Sequence, residues 1–228
     1  MKKLSMLLVL AAVIIITSSM TVNANSLNIK MGLFYPQLDS DLWTTNMENL
    51  ALVKSDMQNP YYAIEYEHFL DRTLSLSIEG GYYKKEHFSQ YKDYEYQDGS
   101  PIYQNLSLET ANLDLGFKFY PVGNRTRIAP YLGGGISLYY WKYSQWGDFI
   151  NFQDDTIDQD QYAESTKYTP TFHAKGGVLI NLSRSVGVSF EARYHALKGE
   201  LSSFFEGFEK LDMGGFSIMA GINIRFPN

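Results

Sequence analysis

The side chains that most often perform catalysis are scarce in this chain of 228 residues. It has four histidines and no cysteine, which excludes cysteine nucleophiles, thiolate metal sites and disulfides. A histidine can activate a serine nucleophile, but His195 is followed by Ala196 and Leu197, with no serine at a suitable spacing. We therefore predict no catalytic residue and interpret His195 and His173 as structural side chains.

Metal and cofactor chemistry is equally weakly supported. One acidic segment, residues 148–164, holds six carboxylates but lacks the glycine and final glutamate of an EF-hand, which favours a solvated loop. His68 and His87 form no spaced ligand set. We predict no metal and no cofactor. The net charge of −6 argues against nucleic-acid binding.

Ten other charged residues lie in segments that alternate apolar and polar side chains with period two, as strands do. In residues 216–226, Phe216, Ile218, Ile222 and Phe226 fall on one face and Arg225 on the other. Seven further segments show the same pattern: 27–33, 62–67, 74–82, 112–119, 132–140, 172–182 and 186–196. Eight strands are therefore predicted, with 15% aromatic content that suits strands and membrane interfaces.

The links between these strands alternate in length. Long links cover about 37–59, 85–103, 144–166 and 199–212, and short ones 71–72, 121–128 and 183–185. Outer-membrane barrels have long outer loops and short periplasmic turns. We predict an all-β fold, a closed antiparallel up-and-down transmembrane barrel. Aromatic rims are expected at Tyr35, Tyr62, Tyr82, Tyr140, Tyr194 and Phe216 outside, and at Phe117, Phe119, Tyr131 and Phe226 on the periplasmic side.

The alternation directs ten ionisable side chains into the lumen. They are Lys30, Glu65, Glu67, Glu79, Asp114, Lys118, Lys175, Glu191, Arg193 and Arg225. Five acids against five bases predict a packed ion-pair network, because buried charges must be paired and eight strands enclose little free space. The alternative is a narrow polar path beside Gly133, Gly135, Ser137 and Gly177, where small residues leave room.

The N-terminus has the pattern of an export signal. Lys2 and Lys3 precede an apolar run that is too short to span a bilayer, and Val22-Asn23-Ala24 fits a cleavage site. We predict a signal peptide over 1–24 and a barrel over 25–228.

Four stretches carry a family resemblance: Gly116–Pro121, Pro130–Ile136, Phe190–Tyr194 and Ile222–Phe226. They resemble the outer-membrane β-barrel domain family, which includes small eight-stranded barrels of the OmpW, OmpA and OmpX type. Members of this family often end on an aromatic residue, whereas in this chain Pro227 and Asn228 follow Phe226. The resemblance implies an integral protein of the Gram-negative outer membrane, in contact with lipid and lipopolysaccharide and inserted by the barrel-assembly machinery.

Within this family resemblance, two functions stay open. The first is a non-enzymatic barrel that serves envelope structure or surface-loop interactions. The alternative is a porin-like narrow conduit for small hydrophobic molecules, as in OmpW-type barrels. A lipid A-modifying enzyme is disfavoured because the His-x-Ser pair of lipid A deacylases is absent at His195. The oligomeric state is left open.

Overall fold

The computed structural model describes residues 25–151 and 156–226, so the predicted export signal over 1–24 lies outside the described residues. The eight long strands are β1 Asn25–Pro36, β2 Asn59–Phe69, β3 Leu74–Glu95, β4 Pro101–Phe119, β5 Ile128–Asn151, β6 Thr156–Asn181, β7 Val186–His195 and β10 Gly215–Phe226. They form one closed antiparallel ring in the order β1-β10-β7-β6-β5-β4-β3-β2. The predicted fold class is confirmed.

Shorter elements lie in two of the links. Helix α1 spans Asp41–Asn49, and single 3-10 turns span Lys54–Met57 and Ser203–Phe205. A two-residue pair, β8 Lys198–Gly199 and β9 Leu211–Asp212, forms a small separate hairpin. Within the described ranges no helix has the length and apolarity needed to cross a bilayer.

The two faces of the ring differ in polarity, as the alternation predicts. In β10, Ile218 and Ile222 are exposed on the outside, whereas Ser217 and Asn223 are buried inside. Other exposed apolar residues continue this outer belt around the ring: Ile29, Met31, Ile64, Leu113, Phe117, Leu132, Ile136, Phe172 and Phe190. Where the eight strands form the ring, each is paired on both sides, and an apolar exterior matches the hydrocarbon of a membrane.

The three short links, residues 70–73, 120–127 and 182–185, lie at one end of the barrel, which we call the turn end. The opposite end, the loop end, carries the 37–58 and 196–214 links as predicted. The prediction of loops over 85–103 and 144–166 is wrong. Only five residues separate the end of β3 from the start of β4, and β5 continues to Asn151 while β6 begins at Thr156. β6 alone has 26 residues, whereas about 10 cross a bilayer.

The sequence pattern of these extensions differs from that of the membrane-crossing parts. Leu106 and Leu108 still point inward and are fully buried. Their outward neighbours Asn105, Ser107 and Glu109 are polar, since that face meets water rather than lipid. Because the outer face is polar, the sequence of such a strand resembles that of a solvated loop.

The loop end is filled by an apolar cluster that we call the cap. Helix α1 contributes Trp43, which is fully buried, contacts Tyr143 edge-on at 5.1 Å between ring centroids, and donates its indole N–H to the carbonyl of Asp212 at 2.9 Å. Other buried members are Leu38, Leu50, Leu52, Tyr83, Leu106, Trp141, Leu211 and Met213. Both long links therefore fold back into the mouth of the barrel.

A second apolar cluster, the turn-end cluster, closes the opposite side. It consists of Phe69, Tyr120, Ala129, Tyr131 and Leu179, none more than 4% exposed. The interior thus has an apolar layer at each end and a charged layer between them.

Candidate functional site

Nine of the ten predicted lumen residues form one buried ionic cluster, which we call the lumen cluster. None of the nine is more than 4% exposed. They come from six strands of the ring: Lys30, Glu65, Glu67, Glu79, Asp114, Lys118, Lys175, Glu191 and Arg193. Period-two alternation brings them together because each occupies an inward position of its strand.

Glu65 is the hub on one side of the lumen cluster. Its carboxylate lies 2.9 Å from Lys30 Nζ, 2.7 Å from Lys118 Nζ and 2.6 Å from Lys175 Nζ. Three ammonium groups around one carboxylate neutralise it fully and leave positive charge for its neighbours. Lys118 accordingly also reaches Glu67 at 3.3 Å.

Arg193 is the hub on the other side. Its guanidinium pairs with both oxygens of Glu79 and lies 3.0 Å from Asp114 and 2.6 Å from Glu191. Lys30 joins the two halves through Glu79 at 2.8 Å and Glu191 at 3.0 Å. Planar guanidinium groups suit this role because they donate to several carboxylates in fixed directions.

The lumen cluster holds five carboxylates and four cations, so its formal net charge is −1. Neutral donors stabilise the excess. Tyr120 donates to Glu67 at 2.6 Å, Tyr131 to Glu191 at 2.8 Å, and Asn112 to Asp114 at 2.8 Å. Hydrogen bonds to charged groups are among the stronger ones in proteins.

Arg225 departs from the prediction that it belongs to this network. Its guanidinium forms no ion pair with any described carboxylate. It donates instead to the carbonyl of Asn124 at 3.1 Å and lies over the ring of Phe69, 5.1 Å from the centroid. Arg225 lies at the end of β10, beyond the turn-end cluster. The alternation predicts which face of the strand Arg225 occupies but not its position along the barrel axis.

Tyr131 corrects a second expectation. It was predicted in the periplasmic rim, but it follows inward parity and is 3% exposed. Its ring lies over Gly177, whose absent Cβ would meet the Tyr131 hydroxyl at 2.7 Å, and Lys118 Nζ sits 4.7 Å from the ring centroid. The gap expected beside Gly133 and Gly177 is therefore occupied, because glycine on one strand admits a large side chain from the next.

The histidines have partners that the sequence did not indicate. His173 Nδ1 lies 2.9 Å from Ser137 Oγ and 4.0 Å from Asp114, and His195 Nε2 lies 3.7 Å from Asp114. In a nucleophile–base–acid relay the acid contacts the nitrogen opposite the serine. Here both partners face Nδ1, and His173 Nε2 is buried without a hydrogen-bond partner.

Aromatic rings seal the lumen cluster from both sides. Towards the loop end, His195 contacts Tyr139 and Tyr61 of the cap, with centroids 5.2 and 6.5 Å apart. Towards the turn end, Tyr120 and Tyr131 pack 5.4 Å apart. The arrangement stabilises a filled interior, in which Ser137 is 4% exposed.

Among residues 25–151 and 156–226 no group of three or more acidic or histidine side chains is arranged to hold a metal ion. The described parts of the acidic segment, 148–151 and 156–164, are strand rather than the expected solvated loop. Asp148 accepts hydrogen bonds from Tyr96 at 2.7 Å and from the backbone of Asp160 at 3.0 Å.

A closed β-barrel with an apolar exterior and a buried polar interior defines an integral β-barrel protein of the outer-membrane type. No protein-family model and no curated protein matches the sequence. Among solved structures, the chain is similar to Ail of Yersinia pestis, seen in complex with the heparin analogue sucrose octasulfate, with 12% identity and a TM-score of 0.47 over 90% of this chain and 100% of Ail.

The chain is also similar to two further solved structures. Neisserial surface protein A has 12% identity and a TM-score of 0.49, covering 89% of this chain and 97% of that one. The outer-membrane protease OmpT of Escherichia coli has 10% identity and a TM-score of 0.43, covering 90% and 97%. A fold does not by itself define a function, so function is argued from this chain's own interior and surface.

Proposed function

We propose that this protein is a non-enzymatic, non-conducting barrel of the Gram-negative outer membrane that anchors an ordered structure at the cell surface. The observation that carries the proposal is the lumen cluster, in which charged side chains are paired with one another and sealed between two apolar layers. Water entering such an interior would have to separate these pairs and displace buried aromatic rings.

The anchored structure consists of the extended β3–β6 strands together with the cap. β6 exceeds the length needed to cross the bilayer by about 15 residues, or roughly 50 Å of extended strand. The outer surface of the extended β3–β6 strands carries exposed aromatic side chains, including Trp146, Tyr162 and the stacked pair Phe88 and Tyr103. Ordered aromatic surfaces of this kind suit contact with carbohydrate or with protein partners.

Lipopolysaccharide is the partner proposed for the lower part of this surface. Directly above the aromatic rim, Lys84, Lys142 and Glu109 line a polar depression of about 260 Å³ on the outside of the barrel. Lysines at this height meet the phosphate and sugar groups of the outer leaflet.

The test of a closed lumen is conductance of the refolded protein in planar bilayers. We expect no reproducible steps in 1 M KCl. A uniform step size that scales with the amount of protein inserted would refute the proposal.

The absence of enzymatic activity is tested separately. Mass spectra of lipid A should be identical in cells with and without the protein. If they differ, Ser137→Ala and His173→Gln variants will show whether the buried pair is responsible, because a lumen-independent activity would survive both changes.

A second candidate function, capture of a small hydrophobic molecule, is favoured by one cavity. It measures about 160 Å³, lies in the cap and is lined by Leu42, Leu50, Phe149, Ile150 and Phe205. Because the lumen cluster lies beneath it, we propose binding at the loop end without passage through the barrel. Saturable quenching of tryptophan fluorescence by a small aromatic hydrocarbon would support this candidate, and no quenching below its solubility limit would remove it.

Export and insertion follow the same proposal. We propose that residues 1–24 are removed on export and that the barrel-assembly machinery inserts residues 25–228. The intact mass of the protein from outer membranes should correspond to a chain that begins at Asn25, and a mass that includes residues 1–24 would contradict the cleavage.

A further inference from the structure

The turn end of the barrel contains a pocket of about 290 Å³ that the proposed function does not use. Its walls come from the link between β2 and β3, the link between β4 and β5, and the end of β10. Three arginines line it: Arg72, Arg125 and Arg225.

Arg225 is a cation without a counter-ion among the described residues. It is only 9% exposed, its single anion-like contact is the Asn124 carbonyl, and its Nε is buried with no hydrogen-bond partner. Glu67 is the lumen carboxylate that interacts electrostatically with Arg225, but it is already hydrogen-bonded to Lys118, Tyr120 and Ser75. A largely buried charge is unfavourable unless something pairs with it.

The one acidic group in the pocket does not supply that pairing. Asp71 uses Oδ1 to accept hydrogen bonds from Thr73 N and Oγ1 and from Leu74 N, at 2.5, 2.8 and 2.9 Å, which closes its own turn. These bonds also lower the pKa of Asp71, so it stays ionised. Three arginines therefore line the pocket against one carboxylate, whose Oδ1 is already hydrogen-bonded within its own turn.

The walls of the pocket are fixed before any ligand arrives. Asn124 donates from its backbone N–H to the Arg72 carbonyl at 2.7 Å and from its side chain to the Asp71 carbonyl at 2.9 Å. Asn181 in turn donates to the Asn124 carbonyl at 3.0 Å. Three neighbouring segments are thus joined by hydrogen bonds, and an organised site loses less free energy on binding.

The distribution of arginine along the chain gives an independent argument. The protein carries six arginines and a net charge of −6. Arg193 lies in the lumen, and the other five, Arg72, Arg125, Arg127, Arg184 and Arg225, lie in the turn-end links or at the end of β10. Arginine is the side chain best suited to bidentate phosphate recognition.

We propose that this pocket binds a phosphate group, with Arg225 at its base and Arg72 and Arg125 at its rim. The exposed rings of Phe119 and Phe226 mark the membrane boundary at this end, so the pocket lies at the height of inner-leaflet headgroups. Both an anionic phospholipid and free inorganic phosphate carry the required group, and the two sources are distinguishable by experiment.

The test compares the refolded full-length protein with an Arg72→Ser/Arg125→Ser double variant. Both positions are exposed, so the barrel should fold, which heat-modifiable migration on gels verifies. Arg184→Ser is the matched control, since Arg184 occupies a turn at the same end but does not line the pocket.

Two probes are used in neutral detergent: phosphatidylglycerol, followed by native mass spectrometry, and inorganic phosphate, followed by calorimetry. We expect saturable binding by the native protein and the control, weakened at least tenfold in the double variant. Binding of phosphatidylglycerol alone assigns the site to lipid, and binding of both probes assigns it to phosphate from either source. Equal binding by all three proteins, or binding of neither probe, would overturn the proposal.

Discussion

Arg193 is the residue whose removal tests the lumen cluster most severely. Its guanidinium is fully buried and pairs with Glu79, Asp114 and Glu191. The substitution Arg193→Met keeps much of the side-chain volume and removes the charge. The formal imbalance of the cluster then grows from one negative charge to two, with three buried carboxylates losing a shared partner.

Breaking a buried ion pair by removing one partner typically destabilises a protein by ~3–5 kcal/mol. With a urea dependence of about 2 kcal/mol per molar, the unfolding midpoint should fall by roughly 1.5–2.5 M. The measurement is a urea titration of refolded protein in lipid vesicles. Tryptophan fluorescence is a suitable probe because Trp43 and Trp141 are fully buried in the folded state.

Two further variants separate pairing from packing. Adding Glu79→Gln to Arg193→Met removes one of the stranded charges and should recover part of the lost stability. Lys167→Met breaks an exposed pair with Glu200, 3.5 Å apart, and should shift the midpoint by less than the equivalent of ~1 kcal/mol. An Arg193→Met midpoint equal to that of the native protein would refute the assignment of the lumen cluster.

Three smaller changes test other parts of the structure. Tyr131→Phe removes a hydrogen bond to a buried carboxylate and should destabilise the barrel by ~1.5–3 kcal/mol in the same urea titration. Tyr168 is 63% exposed, so Tyr168→Phe should leave the stability unchanged, and equal effects of the two substitutions would contradict the interior placement of Tyr131. Gly177→Val places a side chain where the Tyr131 hydroxyl lies 2.7 Å from an added Cβ and should destabilise by ~1–3 kcal/mol through overpacking, so a stable variant would show the space to be free. The hydrogen bond from Lys142 holds the pKa of Glu164 at about 2, and because this pKa is lowered, the pair contributes to stability above pH 4.5 and is lost as the pH falls through about 2. Lys142→Met should raise the pKa of Glu164 measured by NMR, and an unchanged pKa would exclude the pair.

The ring of strands could be predicted from sequence because lipid outside and a polar lumen inside impose alternation on every membrane-crossing residue. Ile218 and Ser217 are adjacent in sequence and differ by parity alone, which is enough to place one outside and one inside. The same parity brought Lys30, Glu65 and Arg193 into one interior, although they are distant along the chain.

Height along the barrel axis was not encoded in that parity. Arg225 points inward like Arg193, yet it lies beyond the turn-end cluster and meets no described carboxylate. Its environment depends on the stagger between neighbouring strands, which links Arg225 to Ser26 and the backbone of Ser185. Pairing register is set by the whole closed ring rather than by any local pattern.

The cap was also beyond sequence reasoning. Trp43 lies in a link that was predicted only to be long, and its burial depends on contacts with Tyr143 and Asp212, about 100 and 170 positions away. Apolar residues in a long link do signal packing, but their partners are fixed by tertiary structure. The extended strands that receive them were hidden by polar outer faces.

The most direct test of a filled lumen uses the absence of native cysteine. Ser189 is 1% exposed and hydrogen-bonded to Asn28 at 3.0 Å inside the barrel, so Ser189→Cys introduces one thiol in the lumen, and Ser55→Cys provides an exposed control on the 37–58 link. With a charged, water-soluble thiol reagent, the folded Ser189→Cys protein should stay unlabelled until urea unfolds it, while Ser55→Cys reacts at once. Labelling of folded Ser189→Cys at the rate of the control would show a water-filled lumen and contradict the account.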